Sequence, residues 1–240
     1  MRRRAHRAFH HAVRYAPIVR ALRSLPAGAR VLEVGSGVEG LGAFWPGRFV
    51  GADVDFRGPR AANLLAVTAD GARLPFADRS FDLVVSVDVL TELPREILPA
   101  VCAEMARVTR GRVLILAVTG AEAEASDRRM RDWLVERGRP VPDWLVLQLQ
   151  TGCPTTESVR DLLAGHGRVR VGANMSVGWH ERMFRLEHRL ARARAMTVLQ
   201  PLVRAWGRAG ARELPGQGAA YRHRFLLETQ PTDSPPRAAS

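Results

Sequence analysis

VLEVGSGVEG, residues 31–40, decides how the chain is read. Three apolar residues and one acid make a short strand. Glycines at 35, 37 and 40 then follow within six positions, where a loop must turn sharply and let a ligand approach the backbone. Read through Gly35, Gly37 and Gly40, the loop has the G-x-G-x-x-G spacing of a dinucleotide site. Read from Glu33, it is an acid, a hydrophobe and G-x-G. A pyrophosphate is doubly anionic and poorly served by a carboxylate two residues before the first glycine, whereas an ammonium group would favour one. In either reading the following helix is expected to add unpaired N–H groups.

The segments around the loop have the rhythm of an α/β protein. Upstream, residues 16–30 predict a short helix with Pro17 near its start and Ile18, Val19, Leu22 and Leu25 on one face, ending at Pro26, Ala27 and Gly28. Downstream, apolar strand-sized runs occur at residues 48–56, 63–76, 80–90 and 111–120. The run at 80–90 is continuous in apolar residues, as in a strand covered on both faces. Residues 94–110 have helical spacing through Ile97, Val101, Met105 and Val108. A helix at 122–138 precedes a loop-rich passage at 139–154. Another helix at 155–167 is capped by Thr155 or Thr156, followed by a sixth strand at 168–175. A long arginine-rich helical region at 179–207, broken near Pro201, and a last strand at 220–228 complete the pattern. Strands alternating with helices predict a mostly parallel sheet wound with helices on both faces, seven-stranded, with helical insertions in the C-terminal half. Residues 230–240 are too poor in apolar surface to fold and are expected to be a disordered tail.

Composition limits the remaining possibilities. The 240 residues suit one domain. No apolar run is long enough for a membrane helix, and the arginines and histidines of residues 1–15 interrupt any signal-peptide core, so a cytoplasmic protein is expected. Cys102 and Cys153 cannot build a disulfide framework, lack the partners of a zinc site, and are expected to be buried thiols; no metal is expected. All 36 basic residues are arginine, and the formal charge is +12. They concentrate in the first 23 residues and between Arg182 and Arg212. Such patches favour an anionic partner: acidic lipid, a phosphorylated substrate or, with no recognisable module to support it, nucleic acid.

The segment VTADGARLPFADRSFDLVVSVDVLTELP, residues 67–94, is the stronger discriminator between the two readings of the loop. An acid and small residues close the third strand, Leu74, Pro75 and Phe76 follow, and Ser80, Phe81 and Asp82 open the fourth. With the glycine loop, this pattern resembles class I S-adenosylmethionine-dependent methyltransferases, and is most similar to the type 11 group. The resemblance is good over residues 15–118. It implies a Rossmann-like fold and S-adenosylmethionine as cofactor, with Glu33, Gly35, Ser36 and Gly37 at the methionine moiety. Asp53, eighteen positions after Gly35, and Val54 would lie at the ribose; Asp70, Gly71 and Ala72 at adenine; and Ser86 or Val87 nearby. It divides the chain into a basic helical extension (1–25), a cofactor half (26–118) and a substrate-specific half (119–229). Asp55 is an alternative to Asp53. Glu39 stands where a third glycine is often found, and Thr91–Glu92 replaces a Glu-His pair of many relatives.

Methyl transfer needs a base only when the acceptor must lose a proton. Asp88, Glu92 and His180 are the candidate proton acceptors, His180 also reading as a surface residue of the arginine-rich helix. Trp133 and Trp144 read either as lining for an apolar acceptor or as core. The expected activity is methyl transfer to an O, N or C atom of a small-molecule or lipid-linked acceptor. Its rivals are an RNA or protein methyltransferase, a noncatalytic S-adenosylmethionine-binding protein and a nicotinamide-dependent oxidoreductase.

Overall fold

A computed structural model describes residues 8–192, 195–209 and 212–229; the expected tail lies outside them. The strands are β1 (Val31–Val34), β2 (Phe49–Asp53), β3 (Leu64–Thr68), β4 (Phe81–Val87), β5 (Thr109–Val118), β6 (Gly167–Ser176) and β7 (Ala220–Thr229). They form one sheet in the order β3-β2-β1-β4-β5-β7-β6. All pairings are parallel except those of β7, which runs antiparallel to β5 and β6. The strand order reverses direction between β1 and β4, and in open α/β sheets the crevice beyond the carboxyl ends of such strands is where ligands bind.

Alternation along the central strands separates two cores. Val31, Leu83, Val85, Leu114 and Leu116 pack against Ile18, Val19 and Leu22 of α1 (Ala8–Arg23) and Val203 of α7 (Ala195–Arg208). Leu32, Val34, Val84, Val113 and Ile115 pack against Val101, Cys102 and Met105 of α2 (Leu98–Val108) and Val159 and Leu163 of α5 (Thr156–Ala164). Each such side chain contributes about 1.5–3 kcal/mol relative to exposure. Thr155 caps α5, its hydroxyl accepting the Ser158 N–H at 3.0 Å. Between β5 and β6 lie α3 (Ala121–Val135), α4 (Asp143–Thr151) and α5; between β6 and β7 lie α6 (Val177–Arg192) and α7.

Four local expectations are corrected. No α-helix follows the glycine loop: the connection to β2 holds one four-residue 3-10 turn, Gly40–Ala43. That side of the sheet is covered instead by α1 and α7, which come so close at Gly207 that a Cβ there would lie 2.6 Å from Phe44 and 3.2 Å from Ala12. Second, α1 starts well before Pro17. Glu187 of α6 accepts the N–H groups of Phe9 (2.9 Å) and His10 (3.2 Å), satisfying the helix start from a distant element. Pro17 then sits mid-helix, and the Val13 carbonyl that its missing N–H leaves free accepts from buried Asn174 at 3.3 Å. Third, α4 forms within the passage expected to be loop, beginning just after Pro142, where proline is tolerated. Fourth, Pro201 lies inside α7 and does not break it.

Candidate functional site

The ends of β1, β2, β3 and β4 converge on the glycine loop. Gly35 has φ +74°, donates its N–H to Ala52 O at 2.7 Å, and leaves no room for a side chain: a Cβ would lie 2.0 Å from Val89 Cγ2, just beyond β4. Gly37 has φ +55° and the opposite environment, with nothing within 4 Å of the Cβ position. Its N–H donates to Asp53 Oδ2 at 2.7 Å. Ser36 is buried between them, its hydroxyl donating to Gly37 O at 3.1 Å. Beside Asp53, Val54 is 72% exposed, an apolar side chain left uncovered at the mouth of the sheet. Ala69 N–H donates to Asp53 O (3.0 Å), which brings the next loop alongside; there exposed Asp70 accepts the Ala72 N–H at 2.9 Å, with Gly71 between.

Asp55 is turned away, paired with Arg57 at 2.5 Å. Glu39 reaches out to Arg204 of α7 at 2.7 Å. Ser86 is fully buried in β4, level with Val34, the last residue of β1 before the glycine loop, and with Ile115.

Glu33 lies beneath the glycine loop. It is fully buried; Oε1 accepts from the Tyr15 hydroxyl and Oε2 from the Leu41 N–H, each at 2.7 Å. These contacts pin α1 and the glycine loop to β1. Burial pushes its carboxyl up to about 7, against the Tyr15 and Leu41 hydrogen bonds that favour the ionised form. Between about pH 4.5 and 7 the native chain therefore keeps a proton that the unfolded chain has released. Stability falls as pH rises through that window, by about 3 kcal/mol in all. Urea unfolding at pH 5 and pH 7 is expected to show this loss in the parent chain and a smaller one in Glu33→Gln, which keeps both partners.

The candidate proton acceptors are dispersed. Asp88, at φ +61° just past β4, lies between Arg14 of α1 (2.6 Å) and Arg222 of β7 (2.8 Å). Burial opposes its ionisation, but the two guanidiniums overcome that and hold it down at about 2. Both of its oxygens are engaged, Oδ1 by Arg222 and Oδ2 by Arg14 and Arg222. His180 is not on the surface: it is buried in α6, stacked on Tyr221 at 3.5 Å and 3.7 Å from Asp127. Asp127 in turn accepts from Tyr221 Oη (2.9 Å) and from Gln148. Glu92 is exposed, directly after the 3-10 turn Val89–Thr91 that lies against Gly35. Trp133 and Trp144 are packing residues around Phe184.

Residues 32–116 match the family model of a methyltransferase domain. Together with the strand order, that decides the assignment. This segment matches a methyltransferase domain. No curated protein matches the chain by sequence. Among solved structures, the chain is similar to a possible histamine N-methyltransferase of Thermotoga maritima, described as S-adenosylmethionine-dependent (15% identity, 94% of this chain and 90% of that one, TM-score 0.55). It is also similar to magnesium protoporphyrin IX methyltransferase of Synechocystis with bound S-adenosylhomocysteine (14%, 92% and 82%, 0.53). A third is a putative sarcosine dimethylglycine methyltransferase of Galdieria sulphuraria (15%, 91% and 85%, 0.55). At these identities the likeness establishes the fold.

The fold also brings together groups that spacing did not reveal. Arg14 and Arg222 are 74 and 134 positions from Asp88, and Tyr15 is 18 from Glu33. A second buried pair, His10 Nδ1 with Glu187 Oε2 at 2.7 Å, ties the start of α1 to α6. Cys102 and Cys153 are buried thiols, as expected, with burial raising each to about 12. A cavity of 290 Å³ lined by Ser176, Trp179, Arg182 and Gly216 opens at the β6 end of the sheet, away from the glycine loop. No helix among the described residues is long and apolar enough to cross a membrane.

Proposed function

We propose that the chain transfers a methyl group from S-adenosylmethionine to an O, N or C atom of a small-molecule or lipid-linked acceptor. One observation carries the cofactor reading: at the sheet's reversal point, Gly37 opens onto free space directly beside Asp53 and the uncovered Val54. An adenosyl group suits that combination. Asp53 has lone pairs left for ribose hydroxyls, Val54 offers an apolar surface to a base, and Asp70 lies within the adjoining loop for an exocyclic amine. Gly37 lets the ligand approach the backbone, while Glu33 and Tyr15 hold the loop from beneath.

The bound cofactor supplies a methyl group on a sulfonium, whose leaving group needs no further activation. The chain's task is then to hold the acceptor in line, which is worth up to ~7–11 kcal/mol for well-oriented reactants. Arg14 and Arg222 keep Asp88 ionised and fix the floor beyond β4, so this carboxylate acts as a positioning residue. Glu92, at the mouth, is the remaining carboxylate placed to accept a proton from an amine or hydroxyl. The acceptors named in the similar structures are small molecules, including phosphomonomethylethanolamine in a Haemonchus contortus protein, and this supports the same class here.

Incubating the chain with methyl-labelled S-adenosylmethionine and fractionated cell extract tests the reading. Label is expected in the lipid or small-metabolite fraction. Label confined to RNA or protein would overturn the acceptor class. Binding of S-adenosylhomocysteine with no transfer to any fraction would make this a noncatalytic cofactor-binding protein.

A further inference from the structure

The sequence of α6 suggests a helix whose arginines are moderated by Glu181 and Glu187, but the fold separates the two charges. Glu187 points inward to His10 and the start of α1. Glu181 is turned to Ser126 and Arg129 of α3, leaving its side chain only 16% exposed. What faces outward is Trp179, Arg182, Leu186 and Arg189, at spacings of three, four and three, on one stripe about 15 Å long. Trp179 is 39% and Leu186 45% exposed, and Arg182 lies over the Trp179 ring at 6.0 Å. The neighbouring α7 contains no acid and exposes Leu202 (66%) and Trp206 (39%).

We infer that this stripe of α6 docks on an anionic lipid bilayer. Apolar side chains spaced between guanidiniums, with the acids of the same helix facing inward, have the chemistry of a helix lying in the headgroup plane. Trp179 and Leu186 enter the acyl boundary while Arg182 and Arg189 meet lipid phosphates, which complements a chain of formal charge +12. A nucleic-acid face would have little use for exposed leucines. The inference stands on this surface and is independent of which acceptor is methylated.

Co-sedimentation of the full chain with phosphatidylglycerol–phosphatidylcholine vesicles, and with phosphatidylcholine vesicles alone, tests it. Binding is expected to the anionic vesicles and to be much weaker to the neutral ones. Arg182→Ser and Arg189→Ser should each weaken it about fivefold. Leu186→Ser should weaken it as well, and thermal unfolding should be unchanged because the side chains are exposed. Brominated lipid should quench a share of the tryptophan emission that disappears in Trp179→Phe, a variant conservative enough to fold. Equal binding to neutral vesicles, or no effect of the arginine variants, would overturn the proposal. So would RNA binding that depends on the same arginines, without quenching of Trp179 by lipid.

Discussion

Asp88→Asn is expected to lower the unfolding free energy by about 3–5 kcal/mol at pH 7, the usual cost of removing one partner from a buried ion pair. Asparagine keeps the size of the side chain and tolerates the left-handed backbone at φ +61°, so strain does not explain the loss. What changes is charge: Arg14 and Arg222, both largely buried, lose the carboxylate they share. Urea unfolding should show a lower midpoint with an unchanged slope. The pH dependence has its own sign. Because the native Asp88 carboxyl is held down at about 2, its stabilisation is present above about pH 3.8 and is lost as pH falls towards 2. Glu92→Gln, at an exposed position, should leave the midpoint nearly unchanged.

Asp53→Ala should weaken S-adenosylhomocysteine binding roughly 100-fold, as expected from losing two hydrogen bonds to a charged acceptor at about 1.5 kcal/mol each. The substitution also removes the acceptor of the Gly37 N–H, so part of the loss comes from a loosened loop. Asp55→Ala serves as the comparison: its carboxylate is paired with Arg57 on the surface, and affinity should change less than twofold. Isothermal calorimetry on both variants distinguishes the two acids, which sequence alone left as alternatives. Equal losses would place the ribose between them, and no loss in Asp53→Ala would remove it from the site.

These two acids also show what the sequence could convey. The places of Asp53 and Asp70 were legible because strands are read from local runs, and both acids lie at or just beyond the carboxyl end of a strand. All seven strands could be found in this way. Helices near proline were harder. Pro17 and Pro201 carry a local signal for a helix start or break, and tertiary contacts override it, in the first case through Asn174 supplying the bond that proline cannot. The helix expected after Gly40 shrank to a single turn because α1 and α7 already cover that face. Glu33 was correctly singled out as unusual, but its partner Tyr15 belongs to a helix no spacing rule connects to it. The surface reading of His180 failed for the same reason, and the ion pairs of Asp88 were equally out of reach. Their behaviour depends on Arg14, Arg222, Asp127 and Tyr221, which reach them only through folding.

The central claim is that the open space at Gly37, flanked by Asp53 and Val54, is shaped for an adenosyl amino acid. Calorimetric titration of the unmodified chain with S-adenosylhomocysteine, and separately with a nicotinamide dinucleotide, tests it most directly. The account predicts saturable heat with the first and none with the second. Heat from the dinucleotide alone would contradict it.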